Sequence, residues 1–204
     1  MIRAAVLVSG NGAMLQTILD SMYFGEIPNF ELTAVICTEA DAYALRRAAN
    51  SSVQAFVVEP SNFPTKVSYS MAISNKLRDM DIDLVILAGY DMPLGVISTQ
   101  FRRRIIGVCP ALIPAFVNCD DPVRAALERG CKVTGATAFF ADIDGNIGPI
   151  IAQKSVDILP GDTVETLERR ILEEAEWTLL PKAIILYCQE RLEIHGDRVV
   201  IKGE

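Results

Sequence analysis

The chain has 204 residues, of which 50% are hydrophobic and 22% charged, and its net charge is −7. This composition excludes a disordered chain, and the acidic balance excludes a reader of nucleic-acid backbones, which needs a basic face. No apolar run is long enough to span a bilayer and no cleavable leader pattern follows Met1, so a soluble, cytoplasmic protein without membrane partners is expected.

In chain order, residues 4–8 read as a buried strand, followed by the glycine turn Ser9-Gly10-Asn11-Gly12 and a helix carrying Leu15, Ile18, Leu19 and Met22. Further strands are predicted over 32–37, 53–58, 84–90 and 105–109, with helices over 40–49, 66–80 and 95–104. Wholly apolar strands alternating with helices predict an α/β fold, a mostly parallel sheet with helices on both faces. The last part differs. Strands over 134–142 and 149–159 flank a loop, a long helix spans 164–189 with a bend at Pro181, and a hairpin over 191–202 turns at Gly196-Asp197. No repeat or flexible linker interrupts the chain, so one domain over residues 1–204 is expected.

Five cysteines, with no C-x-x-C pair, and a single histidine, His195, argue against a disulfide framework, a metal site and histidine chemistry. The turn "SGNGAMLQ" presents backbone N–H groups to an anion at a helix N-terminus, or is a plain tight turn. It is neither G-x-G-x-x-G nor a Walker loop. "AGYDMPLG" lies where open α/β sheets bind ligands, at the end of a central strand. There Asp91 reads first as a cap of the following helix. Asp142 and Asp144 in "DIDGNIGPI" fit a metal pair or acid/base groups, but Gly145, Gly148 and Pro149 favour a turn. The run "EEAE" reads as a solvated helix face. Cys109 in "GVCPALIPAF" is a thiol without an activating neighbour in sequence.

These pieces, in this order, resemble the phosphoribosylglycinamide formyltransferase family, through "VLVSGNGAMLQ", "DLVILAGY", "PALIPAF", "KVTGATAFFAD", "GPIIAQ" and "LPGDTVETL". The resemblance covers nearly the whole chain. It implies a formyltransferase fold with a nucleotide-binding-like half, residues 1–109, and a folate-cleft half, residues 110–204. The implied reaction moves a formyl group from 10-formyltetrahydrofolate, the family cosubstrate, to the amine of glycinamide ribonucleotide in purine synthesis. No covalently bound cofactor is implied. Such a site stabilises a tetrahedral oxyanion and carries a proton from the attacking to the leaving nitrogen.

The same resemblance exposes departures. The family's Asn, His and Asp stand here as Gly107, Cys109 and Asn146. Glycine has no side-chain donor, a thiol is a weak one with a reference pKa of about 8.5, and Asn146 cannot carry a proton. At the phosphate turn, Asn11 and Gly12 match, but Ala13 and Met14 replace a hydroxyl and an amide. In the last helix, where the family places Lys or Gln near the phosphate, Glu173 is the nearest counterpart, and Glu176 joins the expected substrate-binding positions. That helix is one residue longer than the family pattern, an excess that a π-bulge can absorb. The expected folate cleft comprises Tyr90, Asp91, Leu94, Phe139 and Asp142. Here Tyr90-Asp91-Met92 replaces Phe-Met-Arg, Phe139 replaces a His, and Val117-Asn118 replaces Pro-Gly.

The expectation is therefore a formyltransferase-like protein without the standard transfer, serving as a small-molecule binding or regulatory module, with self-association among its expected properties. Two alternatives stand beside it: an active transferase with a rebuilt or Cys109-based site, and a partner-binding subunit with an exposed apolar surface.

Overall fold

Alternate residues of the first strand, β1 (Ile2–Val8), belong to opposite layers. Ala4, Val6 and Val8 join the core under α1 (Ala13–Tyr23), α6 (Val164–Ile171) and α7 (Trp177–Cys188). Ala5 and Leu7 join the one under α3 (Lys66–Asp79) and α4 (Val96–Gln100). Both sheet faces are covered, as a wholly apolar strand requires. This arrangement comes from a computed structural model that describes residues 1–117 and 119–203. Asn118, expected beside Val117 at the cleft, lies outside the described residues.

Among the described residues, nine strands form one sheet in the order β3-β2-β1-β4-β5-β6-β7-β9-β8. β2 (Phe30–Cys37), β3 (Ala55–Val57), β4 (Leu84–Leu87) and β5 (Ile105–Cys109) run parallel with β1. β6 (Val133–Ala141) reverses direction against β5 and pairs antiparallel with β7 (Ile147–Asp157). The hairpin of β8 (Leu192–His195) and β9 (Arg198–Ile201) extends the edge through β7. The mostly parallel α/β fold predicted from sequence is the fold observed.

Several boundaries differ from expectation. β4 ends at Leu87 because Gly89, at φ 72°, turns the chain away before Tyr90. α4 stops at Gln100, and Arg103 at φ 60° prevents its continuation to residue 104. A short helix, α5 (Pro122–Glu128), was not expected. Asp121 caps it by accepting from the Arg124 N–H at 2.9 Å, and Pro122 opens it. α2 spans Tyr43–Asn50.

The last helix carries the expected irregularity, and it lies ahead of Pro181. Leu167, Ile171, Ala175 and Leu179 are all buried at four-residue intervals. Three such steps overshoot an α-helix of 3.6 residues per turn by about one residue. The excess is taken up by a π turn, Leu172–Glu176, which keeps the buried stripe on the sheet. Pro181 is accommodated inside α7.

Candidate active site

The C-terminal ends of β1, β4 and β5 open onto one side, joined by the β6–β7 loop and the π turn. After β1, the Asn11 side chain accepts from the Ala13 N–H at 2.8 Å and starts α1. Gly12 has φ 69°, and a Cβ there would lie 2.8 Å from that of Ala44, so the turn is pressed against α2. Arg47 from α2 donates from Nε to the Asn11 carbonyl at 2.9 Å and from its guanidinium to Gln16 Oε1 at 2.8 Å. This cation was not anticipated from sequence, where its distance from the turn hides it. Met14 is buried in the core, so its side chain does not face a ligand at the turn. Ala13 is half-buried.

After β4, Asp91 does not cap α4, whose cap position is Gly95. Its carboxylate instead accepts from the Ser9 hydroxyl, and Ser9 Oγ in turn accepts from Thr38 Oγ1 at 3.0 Å. This is a correction to the capping expectation: Asp91 ties two loops together. The Tyr90 hydroxyl donates to that of Tyr69 at 3.3 Å, and burial pushes the Tyr90 phenol well up. Tyr90 and Met92 are partly buried against the apolar cluster that includes Leu94 and Phe139.

The loop after β5 is held by side chains of β6 and β7. Thr137 Oγ1 donates to the Ala111 carbonyl at 2.6 Å and accepts from the Ile113 N–H at 3.2 Å, while Gln153 donates to the Ile113 carbonyl at 2.9 Å. Cys109 is half-buried. Desolvation, with a further push from the Glu176 charge, raises its thiol to about 11 against opposing backbone hydrogen bonds. Gly107 is buried directly opposite Phe139 across the β5–β6 pair. A Cβ on Gly107 would lie 3.0 Å from Phe139 Cζ and 3.3 Å from Leu87 Cδ1.

In the β6–β7 loop, Asp142 Oδ1 accepts from the N–H groups of Asp144 at 2.9 Å and Asn146 at 2.8 Å. Asp142 is thus a turn residue, satisfied by its own backbone. Among the described residues, no group of three or more His, Cys, Asp or Glu side chains is placed to hold a metal ion. Ser98 Oγ donates to the Ile143 carbonyl at 2.7 Å, and Gly145 approaches Leu94, so the loop is anchored beside the cleft. Asn146 itself is exposed.

The acidic run is only partly the solvated face expected. Glu173 and Glu174 are exposed, but Glu176 is withdrawn at the inner end of the π turn. Desolvation pushes its carboxyl up to about 7. With Pro110, Leu172 and Arg169 it lines a cavity of about 400 Å³. It is the one titratable group near Cys109 that sequence reasoning undervalued. The four-residue apolar spacing around it was the available signal.

A cleft at the strand ends of a mostly parallel sheet, walled by an antiparallel pair and a long C-terminal helix, defines a formyl-transferase-type α/β protein. Comparison with known proteins agrees. The "Formyl transferase" family profile matches residues 2–184. The phosphoribosylglycinamide formyltransferase of Haemophilus influenzae is 33% identical over 205 residues, covering 100% of this chain and 95% of that protein. That of Bacillus subtilis is 34% identical over 181 residues, covering 87% and 91%. The crystal structure of glycinamide ribonucleotide transformylase 1 from Symbiobacterium toebii superimposes with a TM-score of 0.93 at 44% identity, covering 98% of this chain and 94% of that one. The chain belongs to the phosphoribosylglycinamide formyltransferase family.

Proposed function

We propose that this family member does not perform the standard formyl transfer to glycinamide ribonucleotide and instead uses its cleft to bind a small molecule. One observation carries this reading. The Phe139 ring lies against Gly107, where a side-chain donor for the oxyanion would have to stand. The flanking positions support it. A thiol raised to about 11 is neither a charged donor nor a ready nucleophile at neutral pH, and Asn146 faces solvent without a transferable proton. Losing one oxyanion donor costs about 10²–10³ in rate, and here no side chain takes its place.

The test is formyl transfer by the natural chain with glycinamide ribonucleotide and 10-formyltetrahydrofolate. No turnover above buffer is expected; a family-like rate overturns the reading.

A second reading, transfer through a rebuilt site, has one observation in its favour. Glu176 titrates near neutrality beside Cys109, within the range suited to a general base. If turnover is found, this reading requires Glu176→Gln to abolish it and to remove its dependence on a group titrating near pH 7.

A further inference from the structure

We propose that Phe139 is the specificity-determining residue of the cleft. Together with Gly107 it seals the subsite that would receive a reacting carbonyl, so ligands must end short of β5. This deepens the proposed loss of transfer and rests on that reading. It identifies a steric barrier in addition to the missing donors.

The argument begins with register. Gly107 pairs with Leu87 on one side and with Phe139 on the other, so three consecutive strands place these residues in one row. Their side chains lie on the same sheet face, the one covered by α3 and α4. A glycine in a central strand leaves a gap in such a row, and an aromatic residue directly opposite can fold over it. Here the ring does so: the tip atoms Cζ and Cε1 lie 3.0 and 3.4 Å from where a Gly107 Cβ would be.

The contact is closed from the third side, because Leu87 Cδ1 is 3.3 Å from the same point. Phe139 is only 7% exposed, so its ring is packed among its neighbours and moving it aside means giving up that burial. A Cβ alone would force a displacement of a few tenths of an ångström; the amide of an Asn needs more room than the row contains. Gly107 and Phe139 are therefore one unit. Restoring the donor without removing the ring places a polar amide in an apolar, filled space, where it costs stability and finds no ligand.

The subsite that results is dry. Its lining is Leu87, Phe139 and the Gly107 backbone, with the Cys109 thiol two pairs further along the strand, opposite Thr137. No donor faces an oxyanion from this row. A ligand carrying an oxygen to this point would lose its hydrogen bonds with water and gain none.

A double-substitution cycle tests the pair: the natural chain, Gly107→Asn, Phe139→Ala, and both. Gly107→Asn is expected to lower the thermal unfolding midpoint by roughly 5 °C in the natural background. In the Phe139→Ala background it should lower it by less than half as much. Equal losses in the two backgrounds overturn the proposal. Formyl transfer supplies the functional arm, in proteins carrying Gly107→Asn, Cys109→His and Asn146→Asp with or without Phe139→His. At least tenfold higher turnover with Phe139→His is expected. Equal turnover in the two, or none in either, shows that this ring is not the barrier. These outcomes are independent of the natural chain's own activity, so failure of the pair and failure of the proposed function are read from different proteins.

Discussion

The Ser9 hydroxyl donates to the Asp91 carboxylate, and the Asp91 N–H reaches the same Ser9 oxygen at 3.4 Å. One serine thus fastens the end of β1 to the loop after β4. Ser9→Ala is expected to lower the unfolding midpoint by about 2–4 °C, the equivalent of ~1 kcal/mol for a hydrogen bond at a solvent-accessible site. An unchanged midpoint would show that water replaces the hydroxyl at no cost.

The same pairing holds a negative charge beside the glycine turn. Asp91→Asn should strengthen inorganic phosphate binding several-fold at low salt, with the gain fading as ionic strength rises, because an exposed charge is screened. Calorimetry at two salt concentrations would read this. No gain at low salt would place the anion elsewhere.

Glu176 makes stability depend on pH. Its folded pKa of about 7 lies above the unfolded carboxylate value of about 4.3, so the folded state binds the extra proton between these limits. Its contribution is full below about pH 4 and is lost as pH rises through 7. Glu176→Gln should therefore be the more stable protein at pH 8, by ~1–3 kcal/mol, and lose that advantage near pH 4. Denaturant unfolding at both pH values would measure it. A constant difference would mean the carboxyl is better solvated than its surroundings imply.

Cys109 should be a slow thiol. With a pKa of about 11, its thiolate fraction at pH 8 is about 10⁻³, roughly two orders of magnitude below that of an ordinary cysteine. Peptide-resolved alkylation should show the exposed Cys119 reacting long before Cys109. Glu176→Gln should speed Cys109, because one of the influences raising the thiol is removed. Fast alkylation at pH 7 would revive a nucleophilic role.

Gly12→Ala should destabilise by about 1–3 kcal/mol, because the added methyl meets Ala44 at 2.8 Å in a left-handed backbone. Pairing it with Ala44→Gly should recover only part of the loss relative to Ala44→Gly alone, because the Ala44 Cα still stands 3.0 Å from the added methyl and the backbone cost of the positive φ remains. Full recovery would show that the conformation itself is not strained.

The sheet was legible because its central strands are continuous apolar runs; β5 falls on the expected residues 105–109. Errors came where an apolar run outlasts its strand, as at Gly89 and Tyr90, since only the positive φ of Gly89 ends it. α5 was missed although Asp121-Pro122 is a start signal, because its seven residues show little periodicity. At the site, the positions that the family resemblance marks as substituted could be read as residue types, and the π turn matches the one residue by which this helix exceeds the family pattern. The Gly107–Phe139 contact was not, because register between strands far apart in sequence decides it. Nor was the desolvation of Glu176: three glutamates in four residues look alike until the buried stripe selects one of them to turn inward.

The π turn also works as an expansion joint. α7 is seated against α1, β5, β6 and β7, whereas α6 touches α5. A spare residue between them separates the fit of one half from the fit of the other. Deleting Glu173 or Glu174 would shorten the chain by one residue and let an ordinary helical turn form while leaving Trp177–Cys188 in its bed. The same deletion inside α7 would rotate every later side chain off the sheet. Tolerance to a change in length is thus concentrated in five residues of this helix, which end at the desolvated carboxyl of Glu176.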